Sequence, residues 1–85
     1  MTPSVGRIVH VRLNAAMASA IGGNAREGDL APAIIVMVWT PETINARILG
    51  DGPGDVIWGS SLQRGDELSN WNWPKMIEQA HAEGE

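Results

Sequence analysis

Seven consecutive residues, Ala33-Ile34-Ile35-Val36-Met37-Val38-Trp39, are apolar without a break. The run is rich in β-branched side chains, and Pro32 stands at its start, where a strand tolerates a missing N–H. It predicts a strand over 32–39. A strand sends its side chains alternately to two faces, so an unbroken apolar run needs cover on both. A chain of 85 residues buries only ~60–65% of the surface its unfolded form exposes. Cover for both faces is hard to find inside one such copy. The second face is therefore expected in an interface, and the chain is expected to be a homo-oligomer.

The neighbouring segments follow the same period of two. Val5 to Leu13 predicts a strand near 6–13, with Val9, Val11 and Leu13 inward and Ile8, His10 and Arg12 on the other side. Thr43 to Leu49 alternates again, with Ile44, Ala46 and Ile48 inward. Gly50-Asp51-Gly52-Pro53-Gly54-Asp55 is dense in turn formers and leads into a strand near 55–61. Gly59 beside Trp58 suggests a bulge, or a place where something approaches the backbone closely. Ser69 to Trp73 reads as a short last strand or an extended arm. Two helices interrupt this pattern. Asn14 is a good N-cap for an Ala-rich helix over 14–22, ended by Gly22-Gly23-Asn24. At two turns it must lean on the body through Met17 and Ile21. Pro74 suits the first turn of a C-terminal helix over 74–84. The fold class expected is mainly β: one small domain over 1–85, an SH3-like barrel or a strongly bent antiparallel sheet.

The chain has four Trp and neither Phe nor Tyr. Trp71 and Trp73, at i and i+2 on an extended segment, point to the same side, and Pro74 keeps Trp73 out of the α region. The pair is either a lid closing the barrel or a flat platform for a ligand. The net charge of −4 argues against a duplex nucleic-acid partner, which calls for a basic excess. With no Cys, there is no disulfide framework and no thiolate metal site. No apolar run approaches the ~18 residues of a membrane span, and the N-terminus shows no signal-peptide core.

Catalytic patterns are equally sparse. His10 and His81 lie on different elements without a metal-ligand spacing, so no metal is expected. The Ser residues lack a nucleophile-elbow context, and Gly50-x-Gly-x-Gly lacks the helix and Lys of a phosphate loop. The reading is a protein that is not an enzyme and needs no cofactor. Arg offers more. Arg12 and Arg47 fall on the sides of their strands opposite the main apolar set, with His10 and Leu49 beside them. If the strands lie close, they form a basic strip near Trp, where a base stacks and Arg grips phosphate. The candidate ligand-binding residues are thus His10, Arg12, Arg47, Trp58, Trp71 and Trp73, for a small anionic, nucleotide-like ligand. The plainer reading makes both Arg exposed strand residues with solvated partners such as Glu42 and Asp55.

Ser4-Val5-Gly6-Arg7-Ile8-Val9-His10, Pro32-Ala33-Ile34-Ile35-Val36 and Trp71-Asn72-Trp73-Pro74 together resemble a family of small uncharacterised bacteriophage and prophage proteins. That family opens on Ser-Val-Gly-Arg-Ile-Val-His and ends on Trp-His-Trp-Pro. Asn72 stands where the family usually has His, so no role of that His carries over. The resemblance implies phage origin and the cytoplasm of an infected bacterial host as the setting. It raises the idea of a sponge that sequesters a nucleotide-type signal in host defence. The alternative is a structural or adaptor protein that meets another protein through its Trp-rich surface.

Overall fold

A computed structural model describes residues 2–51, 53 and 56–74 of the chain. They form β1 (Ile8–Arg12), α1 (Ala15–Ile21), β2 (Leu30–Val38), β3 (Thr43–Leu49), β4 (Val56–Gln63) and β5 (Trp71–Asn72). The expected C-terminal helix lies, beyond Pro74, outside the described residues. The five strands make one sheet in the order β4-β3-β2-β1-β5, with every strand pair antiparallel. The first four strands form a meander, and the last returns to pair with the first, His10 opposite Asn72 and Val11 opposite Trp71. Past the end of β4, Arg64 makes a parallel bridge to Trp71, and Gly65 N donates to Trp71 O at 3.0 Å. The sheet thereby curls until its two ends touch. The fold is mainly β, as the alternation predicts, a curled half-barrel in keeping with the small barrel or strongly bent sheet expected.

The inward sets are those the period of two selects. Val9, Val11 and Leu13 of the first segment and Ile44, Ala46 and Ile48 of β3 are buried together with Ile35, Leu62 and Trp71. The apolar run of β2 is handled in two ways. Up to Ile35 its alternate residues enter the core. There the register against β3 slips between Ile35 and Met37, and beyond it Met37 and Trp39 are 41% and 57% exposed. One chain therefore covers only part of this run.

Helix α1 closes one end of the barrel. Asn14 Oδ1 accepts from Met17 N at 2.8 Å, which satisfies a donor that the first turn leaves open. Gly22, at φ +75°, caps the other end, a conformation costly for any residue with a Cβ. Ala18 and Ile21 are buried. Gly50 is needed for this packing, because a Cβ there would overlap Ile21 Cγ2.

The bulge foreseen near Gly59 is present. Ile44 pairs with Leu62 and Ala46 with Gly59, so Ser60 and Ser61 together face Asn45, with Ser61 at φ +54°. Asn45 is the buried polar residue that organises this kink. Its Oδ1 accepts from Ser61 N at 2.7 Å and from Trp39 Nε1 at 3.1 Å. Asn45→Ala removes the acceptor that both donors share in this part-buried kink and is expected to cost about 1–2 kcal/mol. Urea unfolding should show the loss as a lower midpoint at unchanged slope; an unchanged midpoint would mean that water replaces the amide without cost.

Candidate functional site

The edge where β5 meets β1 carries a cleft built from four segments, one of them the start of β2 at Leu30. His10 and Arg12 come from the outer face of β1, Asn72 and Trp73 from β5 and its exit, and Gly65, Asp66 and Asn70 from the loop between β4 and β5. Its enclosed volume is about 50 Å³, room for roughly four waters or one phosphate-sized group.

That loop is tied down over β1. Arg12 N donates to Asn70 O, and Arg12 O accepts from Ser69 N. The Arg12 guanidinium spans two loops, with Nη1 donating to Gly28 O at 2.7 Å and Nε to Asp66 O at 3.0 Å. Asn72 Nδ2 donates to Asp66 Oδ1 at 3.0 Å, which turns that carboxylate toward the amide. Trp73 lies half-buried, edge-to-face with Trp71 at 5.5 Å between ring centroids. Its indole Nε1 is out of reach of solvent and finds no acceptor among the described residues.

The six expected ligand residues separate into three groups. His10, Arg12 and Trp73 come together in the cleft. Trp71 does not join them as a surface. It is 0% exposed, its Nε1 donates to Glu42 O at 2.9 Å, and the Arg64 guanidinium lies 5.8 Å from its ring centre. Of the two roles open to the aromatic pair, Trp71 has the lid's, and no ligand can stack on it. Arg47 and Trp58 form a directly opposed cross-strand pair elsewhere. Arg47 faces Ile34, which faces Ile8, while Arg12 lies at the far end of β1. Two strand spacings and four residues of rise separate the two Arg by roughly 16 Å. The continuous Arg12–Arg47 strip expected from the sequence is therefore not formed.

Arg12 also departs from the plainer expectation of a free strand residue, because backbone carbonyls hold its guanidinium. Asp66, Asn70 and Asn72 were not among the expected residues. Arg64-Gly65-Asp66-Glu67 reads locally as a turn, and only the return of β5 to β1 brings it over Arg12. Among the described residues, no group of three His, Asp or Glu side chains is placed to hold a metal ion. No helix among them is long and apolar enough to cross a membrane.

Comparison with protein-family models, curated proteins and solved structures gives no match to this chain.

Proposed function

We propose that this is a non-enzymatic binding protein of phage origin that sequesters a small anionic, nucleotide-type ligand in the cytoplasm of the infected host. The observation that carries the reading is the Trp73 indole N–H, buried at the cleft without an acceptor among the described residues. A buried donor left unpaired costs about 1–3 kcal/mol, a cost that a ligand oxygen removes where binding draws the indole N–H into the cleft. Arg12 adds to the attraction, since two of its five N–H groups suffice for the loop carbonyls and the others remain for a ligand. Sequestration requires stoichiometric binding and no bond chemistry, which suits a cleft of donors. The space accepts a terminal phosphate and not a whole nucleotide. The rest of the ligand would extend along the outer sheet.

The test is thermal unfolding with a panel of linear and cyclic nucleotides. A ligand at 100 times its Kd should stabilise the fold by about 2.7 kcal/mol. Trp73→Phe keeps a ring and removes the N–H. The empty variant is expected to be at least as stable as the natural protein, while nucleotide affinity falls roughly tenfold. Absence of any nucleotide-induced shift in the natural protein would refute the proposal.

That outcome would favour a second reading, supported by a separate observation. Trp39 and Trp58 are 57% and 59% exposed, and large exposed aromatics mark surfaces that meet other proteins. The chain would then be a structural or adaptor protein.

A further inference from the structure

β4 is a terminal strand of the sheet, with β3 on one side only. Among the described residues, the backbone of 56–63 makes no hydrogen bond to any element besides β3. Unpaired edges attract other strands, and proteins commonly guard them with Lys, Pro or inward charges. Val-Ile-Trp-Gly-Ser-Ser-Leu-Gln has none of these. Its one guard is the bulge, where Ser61 at φ +54° ends the straight portion. That leaves five residues, 56–60, with Trp58 at their centre.

A five-residue segment centred on one residue suits pairing with itself. Laid antiparallel against the same strand of a second copy, Val56 faces the second copy's Ser60, and Trp58 faces the second copy's Trp58. No charge meets a like charge along the seam. The nearest cations are the two Arg47, each one strand further out and opposite its own Trp58. They stand about 14 Å apart across three strand spacings, beyond a Debye length at physiological salt. The pairing also joins the outer-face row Ile8, Ile34, Arg47, Trp58 to its counterpart in one continuous outer face. An unrelated peptide would gain the same backbone bonds, but β4 offers no charge to select it. A second copy brings the matching aromatic with it.

We propose that β4 pairs antiparallel with β4 of a second copy about a two-fold axis at Trp58, extending the sheet across a dimer. This inference is independent of the ligand reading, since neither Trp58 nor Val56 lines the cleft.

Sedimentation of the natural protein should show a dimer or a multiple of it. Trp58→Lys and Trp58→Glu each set like charges face to face and are expected to weaken dimerisation about tenfold or more. Mixing the two variants should restore it, because Lys then opposes Glu. The chain has no Cys, so engineered thiols report cleanly. Val56→Cys mixed with Ser60→Cys should form an oxidised heterodimer, and Trp58→Cys a homodimer, even should the charged variants fold poorly. The proposal is overturned if the natural protein sediments as a monomer at millimolar concentration. It is equally overturned if Trp58→Lys dimerises undiminished, if mixing restores nothing, or if the thiol pairs fail to cross-link.

Discussion

Trp71→Ala is expected to leave the chain without a cooperatively folded state at room temperature. Truncating a fully buried Trp costs ~3–5 kcal/mol. A domain of this size has a total stability of only ~4–13 kcal/mol at the usual ~0.05–0.15 kcal/mol per residue. The substitution removes more than volume. It deletes the bond to Glu42 O, the ring beneath Arg64 and the edge that Trp73 packs on. These contacts join the β2–β3 turn, the end of β4 and the exit from β5. Trp71→Phe retains most of the volume and leaves the Glu42 carbonyl with Arg64 N as a partner, so it should cost only about 1–2 kcal/mol. Circular dichroism during heating separates the cases. A cooperative transition for Trp71→Ala within a few degrees of the natural protein would show that the barrel closes without this residue.

Arg12→Ala is expected to cost about 2 kcal/mol, most of it from the part-buried bond to Gly28 O, because hydrogen bonds to a charged donor contribute ~1.5–3 kcal/mol. The bond to Asp66 O is exposed and counts for less, since water competes for both partners. Arg12→Lys should recover less than half. An ammonium on a flexible stem lacks the rigid fork that reaches two carbonyls at once. The urea midpoint measures the loss, and proteolysis rate should rise at 64–70, the loop that Arg12 holds. If Arg12→Ala unfolds at the natural midpoint, the guanidinium contributes no stability and is free for a ligand.

The strands were legible because each had a local signature. Alternation in 9–13 and 44–48 marked the inward faces, and Asn14 and Gly22 marked the ends of α1. Gly59 next to Trp58 marked the bulge. The partner of that bulge was not legible, because Asn45 looks like an outward polar residue in an alternating strand. Only the shifted register brings Ser61 N and Trp39 Nε1 to its side chain. The site was half legible for the same reason. His10, Arg12 and Trp73 belong to segments whose faces can be read from spacing, and they meet in the cleft. Arg47 and Trp58 satisfy the same facing rule but occupy other strands, and facing carries no information about distance across a sheet. Trp71 and Trp73 share a side, as spacing requires. Which of the two lies deeper depends on the curl of the sheet, a property of the whole.

The pairing of Val11 with Trp71 sets the order in which this protein can assemble. The hairpins β2–β3 and β3–β4 are local, and each can form within microseconds of its residues becoming available. The closing contact joins positions sixty residues apart (71 − 11) and carries the entropy of shutting that long loop. Folding should therefore be limited by a late event, in which the first strand waits for the last, on the millisecond-to-second scale of non-local β topologies. During synthesis β1 to β4 are all made before Trp71. Until the first strand and the last have met, the chain holds an open meander with both of its flanks unprotected, and this is when it is most exposed to aggregation and to proteases.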